Sequence, residues 1–82
     1  EDTEGIVSFI RDTDTIEVAC LLKEISEKEI KVSLRSKKSV DVSTIALKFG
    51  GGGHIRAAGC TIYDAIDNVK NIVLEEIQKS FR

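Results

Sequence analysis

The sequence predicts a small α/β fold of the α+β kind, a mixed β-sheet in the order β-β-α-β-α with helices packed against it. Three observations carry this expectation. Apolar residues alternate at period two through residues 16–25 and 30–36, apolar residues recur at the helical period from Ile66 to Phe81, and the chain has 82 residues. A chain of that length buries only about 60% of the surface that its unfolded form exposes. Residues 1–82 are therefore expected to form one domain around one core.

Residues 1–15 are polar and acidic apart from Ile6, Val7, Phe9 and Ile10, whose spacing fits a short connecting helix. Asp12-Thr13-Asp14 reads as turn chemistry, because no third metal donor stands beside it. From residue 16 to 25, Val18, Cys20 and Leu22 alternate with Glu17, Ala19, Leu21 and Lys23. Part of the second set is itself apolar, so this strand is expected to be covered on both faces. Ser26-Glu27-Lys28-Glu29 makes a polar turn. The next strand alternates cleanly, with Ile30, Val32 and Leu34 inward and Lys31, Ser33 and Arg35 sharing the opposite face. Three hydrogen-bond donors thereby stand in line.

Asp41 is placed to cap a helix whose apolar stripe is Val42, Ile45, Ala46 and Phe49. Gly50 is placed to end it. Cys60-Thr61-Ile62-Tyr63 reads as a third short strand. Asp64, with Asp67 three residues on, opens the longest helix, whose stripe is Ile66, Val69, Val73, Ile77 and Phe81.

Composition excludes several classes. With 41% hydrophobic and 32% charged residues the chain is a folded globular sequence and not a disordered one. The longest unbroken apolar run, Val18 to Leu22, falls far short of the roughly 20 residues that a membrane span needs. No signal-peptide pattern is present and no membrane partner is expected; a cytoplasmic location is expected because the two cysteines are too few for a disulfide framework. There is no methionine, which leads to the expectation that this is one domain of a longer protein. The single histidine, His54, excludes a multi-histidine metal cage. Cys20 and Cys60 have apolar neighbours and no CxxC partner, and they read as buried small hydrophobes.

The net charge of -2 conceals an asymmetry. Residues 1–30 hold nine acids and three bases, residues 31–60 one acid and six bases, and residues 61–82 four acids and three bases. The middle third, at +5, also holds five of the six glycines. Charge alone fits an anionic partner or a solvated face equally well.

Within that third, Gly50-Gly51-Gly52-Gly53-His54-Ile55-Arg56-Ala57-Ala58-Gly59 is the most unusual segment. It lacks the Lys-Ser or Lys-Thr of a P-loop and the glycine spacing of a dinucleotide fingerprint. The physics shared by those motifs still applies, because a backbone without Cβ atoms can approach an anion closely and aim N–H groups at it. Ala57-Ala58 is expected in a short helix whose N-terminal donors favour an anion. A flexible connector or an elaborate helix cap is the competing reading. One glycine suffices for a cap, however, and four each cost roughly 0.5–1 kcal/mol relative to alanine.

Gly51-Gly52-Gly53-His54 followed by Ala57-Ala58-Gly59, and preceded by Val32-Ser33-Leu34-Arg35-Ser36 and Asp41-Val42-Ser43, resembles the C-terminal DHH-associated domain of the DHH phosphoesterases. The resemblance runs from about Glu4 to the end of the last helix. Within the family it is nearest the oligoribonuclease and phosphoadenosine-phosphate phosphatase group. It implies the smaller lobe of a two-lobed hydrolase whose N-terminal DHH lobe holds two manganese ions and activates water. This chain is then expected to carry no metal, cofactor or catalytic residue of its own and to be inactive alone. Its expected role is to grip the phosphate and nucleotide end of short RNA or of phosphoadenosine phosphate. Motif matching assigns that role to Gly51, Gly52, Gly53 and His54 and to Ser33 and Arg35; Arg56 joins them on charge alone. Guanidinium suits phosphate through its planar pair of donors, and a glycine loop lying across the strand face would bring all these groups to one anion. Lys31, Lys37, Lys38 and Lys48 would add electrostatic field. Two alternatives are a tRNA-type nucleic-acid-binding module and the corresponding lobe of a cyclic-dinucleotide phosphodiesterase. Having only four aromatic residues counts against a module that stacks many bases.

Overall fold

The computed structural model describes residues 3–12, 15–37 and 40–80, with side chains from residue 17 onward. Asp14, Lys38 and Phe81, to which the sequence assigned roles, lie outside the described residues. The elements run β1 (Thr3–Asp12), β2 (Thr15–Ser26), β3 (Glu29–Ser36), α1 (Val42–Lys48), β4 (Gly52–His54), β5 (Ala57–Ile62) and α2 (Ile66–Lys79). The strands form one sheet in the order β1-β2-β3-β5-β4. This is the expected α+β architecture with helices packed on a sheet, enlarged by two strands.

The pairing is antiparallel throughout rather than mixed. The reason is the path after β3. Helix α1 delivers the chain to β4, the turn at Ile55-Arg56 reverses it, and β5 then inserts between β3 and β4, antiparallel to both. No crossover long enough to return a parallel neighbour is needed.

The segment expected as a connecting helix is instead the edge strand β1. A short apolar run fits either period, and its β-branched and aromatic residues favour the pleated surface. Val7 and Phe9 stand in register with Cys20 and Val18 of β2. The turn between β2 and β3 falls at Glu27-Lys28, inside the predicted tetrad.

Alternation decides which face is buried. Val18, Cys20 and Leu22 of β2, Ile30, Val32 and Leu34 of β3, and Cys60 of β5 join one core with Val42, Ile45 and Ala46 of α1 and Val69, Val73 and Ile77 of α2. Both helices therefore cover the same side of the sheet. The other side stays open: Lys31 and Arg35 are exposed and Leu21 retains 36% of its surface. Among the described residues, the expected cover on the second face of β2 is complete only at Glu17, which is buried.

Local chemistry places the helices as the sequence suggests. The Asp41 carboxylate accepts from the Ser43 amide at 2.9 Å and from the Ser43 hydroxyl, capping α1. At the other end, Gly50 adopts φ +83°. Its N–H donates to the Leu47 carbonyl at 3.1 Å and that of Gly51 to Ala46 at 2.9 Å, the paired bonds of a Schellman ending. Asp64 does not cap α2 directly, since Ala65 holds that position. Its carboxylate instead accepts from the Ala65 amide at 2.7 Å and the Asn68 amide group at 3.0 Å. Lys48 bridges the helices through Glu76 at 2.8 Å. Both cysteines are free and buried, as expected. Burial, and then the neighbouring Cys60, pushes the Cys20 thiol up to about 12. No helix among the described residues is long and apolar enough to cross a membrane.

The Ser43 hydroxyl, assisted by the backbone amides of Ser43 and Thr44, holds the Asp41 carboxyl below its ordinary range. Its contribution to stability is therefore fully present above the unfolded-state value of about 4 and is lost as pH falls through the lower folded-state value. Asp41→Ala should be less stable than the parent in denaturant titrations at pH 7, and the gap should close as the solution is acidified below about 4. A gap that does not change with pH would assign no role to the charge.

Candidate functional site

The register of the sheet assembles the predicted residues on its open side. His54 stands opposite Ala57, Ala57 opposite Arg35, and Arg35 opposite Ala19. In the next row, Gly52 stands opposite Gly59, Gly59 opposite Ser33, and Ser33 opposite Leu21. Directly paired residues share a face, so Ser33, Arg35, Gly52 and His54 all lie away from the helices. With strands about 4.8 Å apart, β3 and β4 are separated by about 10 Å. Only Ala57 and Gly59 of β5 lie between them on this face. The result is an open depression of about 310 Å³ lined by Ser33, Arg35, the Gly52–Gly53 backbone and residues 57–59.

The glycine run reaches this place as a strand in the plane of the sheet, not as a loop laid across it, and Ala57-Ala58 is strand rather than helix. Both corrections have one cause. A Cβ on Gly51 would lie 2.1 Å from the Gly59 carbonyl oxygen, and one on Gly53 would lie 2.6 Å from the Ala58 Cα. Backbones that close require small residues on both strands, and pairing follows. Helix α1 anchors the hairpin from its other side, because the Val42 amide donates to the Ile55 carbonyl at 2.9 Å.

The four glycines consequently divide. Gly50 serves the helix ending, while Gly51 and Gly53 serve strand contact, and the Gly51 amide is taken up by Ala46. Gly52 differs: a Cβ there would meet nothing within 4 Å. The fold gives no reason for glycine at this position, and its missing side chain keeps the depression open. The entropic argument that a glycine run implies a ligand therefore rests on one residue of the four.

Other predicted residues separate from the site. The Arg56 Nη1 donates to the Lys37 carbonyl at 3.1 Å, and the Ser36 amide donates to the Arg56 carbonyl at 3.0 Å, so this arginine ties the hairpin turn to the end of β3. Lys48 lies on α1, on the covered side of the sheet, paired with Glu76, and adds nothing to the open face. Lys31 is exposed on the open face and Lys37 is exposed beside it.

One residue escaped sequence reasoning. Glu17 is only 3% exposed, the sole buried charged side chain among the described residues. Its Oε2 accepts from the Val40 amide at 3.4 Å and its carbonyl accepts from the Lys37 amide at 2.9 Å. The Ser36 hydroxyl closes the same bend on the Val40 carbonyl at 2.6 Å. Glu17 thus shapes the chain that follows Arg35, and both line a shallow hollow with Ala19, Ser36 and Lys37. The available signal was an acid at the head of an otherwise apolar alternation. Among the described residues, no three His, Cys, Asp or Glu side chains come together as a metal donor set.

Substitution separates the glycines experimentally. Gly51→Ala should destabilise the chain by about 1–3 kcal/mol, the usual cost of forcing atoms into a packed contact. Gly52→Ala should change stability by no more than about 0.5 kcal/mol, as expected of an unobstructed surface position. Equal losses in denaturant titrations would contradict the division.

The whole chain, residues 1–82, matches the DHHA1 domain family. It is 39% identical over 80 residues to the bifunctional oligoribonuclease and PAP phosphatase NrnA of Thermus thermophilus, covering 96% of this chain and 24% of that protein. It is 34% identical over 67 residues to the probable bifunctional oligoribonuclease and PAP phosphatase NrnA of Streptococcus mutans, covering 82% of this chain and 21% of that one. A 37-residue stretch, 44% of this chain and 9% of the relative, is 51% identical to the oligoribonuclease NrnB of Bacillus subtilis. The chain spans about a quarter of the length of the two NrnA relatives. A match over its full length, joined to the strand, helix and glycine pattern described above, makes this chain a member of the DHHA1 domain family.

Proposed function

We propose that this chain is the substrate-binding lobe of a manganese-dependent phosphoesterase, gripping the phosphate and nucleotide end of short RNA or of phosphoadenosine phosphate on the open face of its sheet. The observation that carries the reading is the register that sets Ser33, Arg35 and Gly52 around one depression floored by glycine and alanine, with His54 on the same face. The kinship with proteins named oligoribonuclease and PAP phosphatase supplies the substrate class.

The division of labour follows from the residues present. The Arg35 guanidinium offers a planar pair of charged donors, and the Ser33 hydroxyl a third group one row away. The backbone at Gly52 lets an anion come close because no Cβ intervenes. His54, exposed at the far side, can donate to a phosphate oxygen. Together these groups hold and orient a phosphate, which lowers the entropic part of a barrier without performing the chemistry. On this reading the metal and the attacking water belong to an N-terminal DHH lobe of the same protein. The same reading makes the isolated chain inactive and places the protein in the cytoplasm.

Binding tests this directly. Titrated with adenosine 3′,5′-bisphosphate, Arg35→Ala should bind about ten- to a hundredfold more weakly, in line with about 1.5–3 kcal/mol for a charged hydrogen bond, with an unchanged melting transition. Affinity should also fall only shallowly with salt, because few phosphates are engaged. Unchanged affinity would remove Arg35 from the site. A steep salt dependence with long RNA, and no preference for a terminal phosphate, would favour the nucleic-acid module instead.

A further inference from the structure

The open face continues past the phosphate-binding depression. On the other side of β3, Ala19, Cys20 and Leu21 of β2 line a second hollow of about 280 Å³, and its remaining walls are Ser33 and Arg35. Two of the residues that bound the phosphate site therefore also bound this one. The chemistry of the two hollows differs. The first is floored by glycine and alanine backbone, and the second is bordered by the methyl of Ala19 and the side chain of Leu21, which remains 36% exposed. An apolar residue left open to water beside a row of polar donors suits a ligand with one charged end and one flat apolar end.

From this continuity we infer that Ala19 and Leu21 form a nucleobase subsite, in which the base attached to the bound phosphate lies over β2 with Arg35 at its edge or face. The spacing is consistent. The phosphate lies over β5, the base over β2, and the two strands flank β3 at about 4.8 Å on each side. That separation matches the reach of one nucleotide and not that of an extended polymer. Arginine can serve both ends, because its guanidinium donates within its plane and stacks through its faces. Leu21 is a surface to lie on and selects no particular base by hydrogen bonding, so the subsite favours nucleotides over sugar phosphates and discriminates weakly among bases.

This inference rests on the phosphate site proposed above, and the experiment separates the two. Adenosine 5′-phosphate and ribose 5-phosphate are titrated in parallel into the parent chain and into Leu21→Ala and Leu21→Asp, with melting curves confirming that each variant folds. Leu21 lies outside the core, so both variants should remain folded. The parent should bind the nucleotide about five- to tenfold more tightly than the sugar phosphate, a preference at the low end of what a base gains by stacking on an aromatic side chain. Leu21→Ala should erase most of that preference while leaving ribose 5-phosphate binding unchanged. Equal affinity of the parent for the two ligands would overturn the base subsite and leave the phosphate site standing. So would a preference that survives in both variants. Failure of the parent to bind either ligand would overturn both, and would leave the open face as a surface for another part of the protein.

Discussion

Strand β3 carries the constraint on which the rest depends. Ile30, Val32 and Leu34 are no more than 1% exposed, and with a side-chain period of two they force Ser33 and Arg35 to the other face. A slip of one residue would drive Lys31 and Arg35 into the core and expose three aliphatic side chains. Burying an unpaired charge costs several kcal/mol, while each aliphatic side chain returned to water forfeits about 1.5–3 kcal/mol. The hydrophobic effect that folds the sheet therefore also aims Ser33 and Arg35, the donors proposed to hold phosphate. Fold and candidate site share a single register, so neither can drift without the other.

The glycine strand shows the same economy. Its position is set from three sides: the Schellman ending of α1 feeds it, close contact with Ala57 and Ala58 pairs it, and the Ile55 carbonyl ties its turn back to α1. A strand of three residues, two of them glycine, has little propensity of its own. Its neighbours supply the order, so most of the conformational entropy is offset by the fold before any ligand binds. Gly52 can then present bare backbone from a fixed position.

Much of this was legible in the residues. The alternation of β3, the Asp41 cap, the Gly50 ending and the stripe of Val69, Val73 and Ile77 each follow from periodicities or cap chemistry that act locally. Ser33 and Arg35 could be placed on one face for the same reason. What escaped was set by contacts distant in sequence. Residues 6–10 fit a helix and a strand alike, and pairing with β2 chose the strand. Ala57 and Ala58 lie in a strand against their own helical preference because β3 and β4 flank them. Arg56 joined the candidate ligands, and Lys48 the surrounding field, by charge alone; in the structure Arg56 holds the Lys37 carbonyl and Lys48 pairs with Glu76. Glu17 signalled itself only as an acid heading an apolar alternation, because the amides it holds, those of Lys37 and Val40, lie twenty residues and more along the chain.

The proposed phosphate site lies on the side of the sheet turned away from the helices, at Ser33, Arg35 and the Gly52 backbone. Amide chemical-shift mapping of the chain with adenosine 3′,5′-bisphosphate tests it most directly. Binding there should place the largest shifts on Ser33, Arg35, Gly52, Gly53 and Gly59, with the amides of α2 unmoved. Shifts concentrated on α1 and α2, or spread evenly over the basic residues without the glycines, would contradict it.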